Sequence, residues 1–264
     1  MLVVARGELW RITGDAGRLA IDRVGSLVAL RPELDRLRAS PADRVAAAAL
    51  GLLLVPARLA VHSDRALRVV LDEPLSGLPV AALRIGDDRL VAARPVVLAA
   101  RASDVGCAAR LDRAHRVVVV DDAVDPAGAT RASLLGAARG DRLVIAARAE
   151  NDVLGTVLVL RDGPLRTLEI AARAGSAGQV VLTPRDATPA ATTALAFAFL
   201  AAGADQVIAP VTATSPAAAR DLLDQLARGD ADLLHALARI QSASDGDAAL
   251  GFAAFGRDTC HPPP

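Results

Sequence analysis

The chain has 264 residues, 53% hydrophobic and 23% charged, with a mean hydropathy of +0.36, enough apolar material for one large core or one domain with a small appended lobe. Basic and acidic residues balance at 30 each, and neither lysine nor tyrosine occurs. This excludes a global basic field for nucleic acid, a Walker A loop, a Schiff-base or pyridoxal enzyme and a Tyr–Lys dehydrogenase pair.

Leu2–Ala5, Glu8–Thr13 and Leu19–Val24 alternate apolar and polar residues between Gly-containing turns, which predicts a small antiparallel meander. Met1 leads straight into Leu2-Val3-Val4 with no charged start before an apolar core, so no signal peptide is expected. Pro32 to Ala60 reads as helical, with Ser40-Pro41 as cap and first turn of a second helix. The most apolar stretch, Val45 to Val55, ends at Pro56 and is too short to span a bilayer.

From Leu67 onward the rhythm changes. Short β-branched runs appear at Leu67–Leu71, Pro95–Ala99, Arg116–Asp121, Leu143–Ala147, Gln179–Thr183 and Gln206–Ala209, with Ala/Leu-rich helical stretches at Ala127–Arg139, Pro189–Ala202 and Pro216–Arg228. Continuous apolar strands alternating with helices predict an α/β sandwich whose parallel sheet is covered on both faces. Val153–Leu160 and Arg161-Asp162-Gly163 interrupt this alternation with a hairpin. In such a sheet functional groups gather at the carboxyl ends of strands. That singles out Asp72-Glu73, Asp121-Asp122, Arg148 to Asp152, Thr183 to Asp186 and Pro210 to Ser215.

Several pairs resemble sites and have plainer readings. Cys107 and His115, eight residues apart, stand about 12 Å apart on a helix, too far for a dyad. Cys107 reads instead as a small buried hydrophobe. Cys260-His261 falls in a Pro-rich tail expected to be disordered. Asp230, Asp232 and His235 resemble loose metal ligands but read better as a helix cap and solvent face. No CxxC or Cys/His zinc spacing occurs, so no metal or cofactor is expected.

Five ordered segments carry a resemblance. Leu67-Arg-Val-Val-Leu-Asp-Glu-Pro-Leu75 runs into Gly77-Leu-Pro-Val-Ala-Ala-Leu83. Asp141-Arg-Leu-Val-Ile-Ala-Ala147 precedes Leu154 to Leu160, Arg161-Asp162-Gly163 and Leu165 to Ile170. Gln179-Val-Val-Leu-Thr-Pro-Arg185, Leu195 to Ala209 and Ala236-Leu-Ala-Arg-Ile-Gln241 follow. Together they resemble the CHAT domain, the bacterial relative of the caspases, whose pattern reads "L..LPFEAL", a strand ending in "HG", "L.L.DG.L...EI", "VVLSAC", "L..AFL.AGA..VI" and "AL..AQ". The resemblance implies a caspase-like three-layer α/β/α sandwich with a mostly parallel sheet of about six strands. The expected divisions are a meander and helical lead-in over 1–66, a core over 67–256 and a tail over 257–264.

The family's mechanism needs a Cys thiolate activated by a His, each at the end of a neighbouring strand. Carried over, the His position is Arg148, the following Gly is Ala149, and the Cys position is Arg185. A guanidinium stays protonated and serves neither as base nor as nucleophile. The cleft loop also departs, reading Pro210-Val-Thr-Ala-Thr-Ser215 where the family often has Trp and paired acids. The resemblance therefore implies a pseudopeptidase that binds an unidentified protein partner. The two distant cysteines fit a cytoplasmic location, and the balanced charge and short apolar runs leave no expected role for nucleic acid or membrane. The repulsion between Arg148 and Arg185 is expected to be relieved by Glu150, Asp152 or Asp186, as an inert salt-bridge cluster in preference to an anion site. The competing reading is a hydrolase built around Thr183, with Asp186 otherwise expected to cap the helix near Pro189.

Overall fold

The computed structural model describes residues 1–15, 18–59, 61–100, 116–153, 155–173, 177–227, 232–244 and 246–257. In chain order, β1 (Leu2–Ala5), β2 (Glu8–Asp15) and β3 (Arg18–Ser26) precede α1 (Leu27–Ala39) and α2 (Arg44–Leu54). Next come β4 (Leu67–Val69), β5 (Arg84–Ile85), β6 (Asp88–Arg89), α3 (Leu90–Ala93), β7 (Val96–Leu98), β8 (Val117–Val120), α4 (Arg131–Leu135) and β9 (Arg142–Ile145). The chain continues through β10 (Ala149–Asp152), β11 (Gly155–Leu160), β12 (Gly163–Arg166), α5 (Thr167–Ala171), β13 (Gln179–Leu182), α6 (Pro189–Ala201) and β14 (Gln206–Pro210). It closes with α7 (Pro216–Ala227), α8 (Leu233–Ala243), α9 (Asp247–Leu250) and β15 (Phe252–Gly256).

The main sheet has seven strands in the order β4-β7-β15-β14-β13-β9-β8. All six β-branched runs read from the sequence are in it. The seventh strand, β15, was not expected: Phe252-Ala-Ala-Phe-Gly256 has two alanines and no β-branched residue. The β14–β15 pairing is antiparallel and the other five are parallel. One junction therefore divides the sheet into a block of β8, β9, β13 and β14 and an opposed block of β4, β7 and β15.

The two faces separate by side-chain alternation, as the pleat requires. Val180, Leu182, Val207 and Ala209 face a core completed by α1, α2 and α6. Val181, Ile208, Phe252 and Ala254 face Leu222 and Leu226 of α7 and Leu233, Leu234 and Leu237 of α8. This is the expected α/β sandwich. At the amino end of β9, Arg142 is 4% exposed and donates to Gln179 Oε1 and the Leu226 carbonyl, both at 3.0 Å. Burial lowers its pKa below the ordinary arginine value.

The meander forms as expected and is tied to the core beside β4. Leu2 N–H donates to the Val70 carbonyl, Asp72 N–H to the Leu2 carbonyl, and Val4 N–H to Asp72 Oδ2 at 2.9 Å. Helix boundaries differ in instructive ways. α1 begins at Leu27 and contains Pro32. α2 begins at Arg44, because Asp43, not Ser40-Pro41, supplies the cap by accepting from Ala46 N–H. The stretch Ala127–Arg139 yields only the five residues of α4, whose cap is Thr130. The hairpin is a three-stranded unit, β10-β11-β12.

Candidate functional site

The sequence points to the carboxyl ends of β8, β9, β13 and β14, which lie side by side in one direction. β9 and β13 pair with Arg142 opposite Gln179 and Ile145 opposite Leu182. Past Leu182 the ladder loosens but keeps its register. Thr183 N–H donates to the Ile145 carbonyl, Arg185 N–H to the Ala147 carbonyl, and Ala149 N–H to the Arg185 carbonyl. Arg148 and Arg185 thereby form a parallel bridge, in the same register three residues beyond the last strand pair.

Two cations fixed at adjacent backbone positions repel one another, and each has an acidic partner. Arg148 Nε is 3.2 Å from Glu150 Oε1, with both side chains about half exposed. Arg185 reaches the other way, across the ends of two strands. Its Nε donates to the Ala146 carbonyl at 3.2 Å, and its terminal nitrogen bonds Asp122 Oδ1, just past β8. Asp152, two residues further along β10, pairs with Arg166 at 3.0 Å, bracing β10 against β12.

Asp186 neither caps α6 nor pairs with either arginine among the described contacts. Its backbone is left-handed, with φ of 61°, a conformation Asp tolerates better than most residues. The chain can turn there, and Thr188 caps α6 by accepting from Ala191 N–H at 3.2 Å. The partner that sequence reasoning missed is Asp122. Its position after a strand was the available signal, but its pairing depends on a side chain crossing a third strand.

Thr183 is 6% exposed, and its hydroxyl points back to the Ile145 carbonyl at 3.4 Å. Beside Arg185 a cleft of about 380 Å³ opens between the first turns of α6 and α7, lined by Thr183, Asp186, Thr192, Thr212 and Thr214. Of the residues flagged after strands, Asp72-Glu73 follows β4, which runs against this block. Asp72 serves instead to hold β1.

Asp232 caps α8 through the N–H groups of Leu234 and His235, and its other oxygen lies 3.0 Å from His235 Nδ1. Asp230, Cys107, His115, Cys260, His261 and the rest of the tail after Arg257 lie outside the described residues. Among the described residues no group of three or more His, Cys, Asp or Glu is placed to hold a metal ion. No described helix is long and apolar enough to cross a membrane. Neither a protein-family model nor a curated protein matches the chain.

Proposed function

We propose that the chain is a catalytically degenerate relative of the CHAT peptidases, a cytoplasmic scaffold that binds a protein partner instead of cleaving peptide bonds. The observation that carries this reading is the in-register bridge between Arg148 and Arg185. The two positions at which the sequence resemblance places a general base and a nucleophile are neighbours at the carboxyl ends of adjacent parallel strands. Both hold guanidinium groups, each engaged by a carboxylate. Such groups neither accept a proton nor attack a carbonyl at neutral pH. The inward hydroxyl of Thr183 argues in the same direction.

The test is a fluorogenic peptide panel varied at the residue before the scissile bond, run with the wild-type chain and with Thr183→Ala and Arg148→Ala. Hydrolysis at the buffer rate for all three proteins is expected. Cleavage by the wild type that Thr183→Ala abolishes and Arg148→Ala spares would replace this reading with a threonine hydrolase.

A further inference from the structure

The outer face of α2 is as apolar as its inner one. The helix reads Arg-Val-Ala-Ala-Ala-Ala-Leu-Gly-Leu-Leu-Leu, and Ala46, Ala47, Leu50, Gly51 and Leu54 are buried against the core. On the opposite side Val45 is 67% exposed, Leu52 80% and Leu53 39%, with Ala48 also exposed and Ala49 half-buried. A helix lying on a protein surface ordinarily turns polar residues outward, and one apolar all round is normally covered on both sides. Arg44 is the single charged residue of α2.

We propose that this face is the interface of a homodimer, in which α2 packs antiparallel against α2 of a second copy about a two-fold axis at Ala48 and Ala49. The exposed stripe is self-complementary about that axis. Val45 meets the partner's Leu52, Ala48 meets the partner's Ala49, and Arg44 meets the partner's Leu53. Small residues sit at the crossing, where the helices approach closest, and branched ones fill the space on either side.

Charge placement favours the same arrangement. Arg44 occupies the first turn of its own helix, where the macrodipole disfavours a cation. The axis moves it to the carboxyl end of the partner helix, which has no basic residue in its last turn. That end already carries Arg11, which donates to the Leu53 carbonyl, and the half-exposed Asp22 that neutralises it at 3.1 Å, with Arg58 four residues beyond Leu54. A lipid surface fits less well. A membrane-lying helix needs a basic polar face, and the remaining sides of α2 are occupied by the core.

Complete burial of an aliphatic side chain removes on the order of 100 Å² from water. The exposed fractions of Val45, Leu52 and Leu53, with the alanines and the Arg44 stem, thus give roughly 300–400 Å² per copy. A standard stable interface buries about 800 Å² per partner, about twice this area, so the dimer is expected to be weak and transient, forming toward the upper end of the micromolar range.

Sedimentation from roughly 1 to 300 μM tests the proposal across that range. The variants are Val45→Glu, Leu52→Arg, their double and an equimolar mixture of the singles. Both substituted positions are exposed, and thermal melts check that the fold survives. Each single variant is expected to weaken dimerisation about tenfold or more. The mixture and the double are expected to recover it, because Glu at 45 then faces Arg at 52 across the axis. Within one helix those positions are about 10 Å apart, too far to pair. A wild type monomeric throughout overturns the proposal, as does a dimer indifferent to the single variants. Vesicle binding by the monomer that Leu52→Arg abolishes would assign the face to lipid and overturn it too.

Discussion

Replacing Asp122 with Asn probes how the two arginines coexist. Asp122 is the sole carboxylate described on Arg185, and the two side chains are 30% and 37% exposed. An ion pair this wet contributes about 0.2–1 kcal/mol. The repulsion from Arg148 is present with or without Asp122 and cancels in the difference. The cost is therefore at most about 1 kcal/mol at low salt, equivalent to at most about 2–4 °C in Tm for a chain of this size. Because the cost is electrostatic, it should shrink by more than half in 1 M salt, where the screening length falls to about 3 Å. Urea denaturation of wild type and Asp122→Asn at both salt concentrations measures this. Asp122→Asn combined with Arg185→Gln should recover most of the loss, since the uncompensated cation is gone. Equal destabilisation at both salts, or none at low salt, refutes the account of Arg185 as a cation held by Asp122.

Two further predictions concern the frame around the site. A methyl group at Gly51 would sit 1.9 Å from the Arg84 carbonyl oxygen and within 3 Å of two more backbone atoms of that residue. Gly51→Ala should therefore cost about 3 kcal/mol as α2 is pushed off β5, read as a lower urea midpoint; an unchanged midpoint removes that contact from the account. Glu169 has its pKa lowered, chiefly by the Arg166 backbone N–H and then by Arg131. A carboxylate depressed in the folded state stabilises it above the unfolded pKa of about 4.3 and loses that contribution as pH falls through the folded value. Glu169→Gln should thus flatten the fall of Tm below about pH 4.3, and an acid limb as steep as the wild type's would contradict it.

Buried strands rich in Val, Leu and Ile announce themselves by composition, which is why β9, β13 and β14 were legible. β15 was not, because it is packed by neighbours rather than by its own branching. Phe255 stacks edge-on against Phe197 of α6 with ring centres 5.6 Å apart, and Phe252 faces α7 and α8. Flanking alanines suffice where the sheet already supplies both adjacent strands. The caps failed for a related reason. Ser40-Pro41 and Asp186 are both sound cap vocabulary, yet Asp43 and Thr188 sit where the chain direction needs the acceptor. The backbone at Asp186, with its left-handed φ, is already spent on turning.

At the site, positions were readable and partnerships were not. Arg148 and Arg185 are placed by register alone, since a constant offset of 37 residues runs from Gln179 and Arg142 to the two arginines. Strand-end logic recovers that much. Which carboxylate answers each cation depends on reach. Glu150 follows Arg148 by two residues along an extended chain, so both side chains lie on one side and meet locally. Asp152 is two residues further, and β12 brings Arg166 to it first. Arg185 is flanked in sequence by Asp186, but Asp186 lines the cleft and makes no described contact with that guanidinium. The guanidinium instead crosses the Ala146 carbonyl to the strand beyond. A charge answered across three strands cannot be assigned until the strand order is known, and it is this cross-strand contact that the Asp122→Asn experiment isolates.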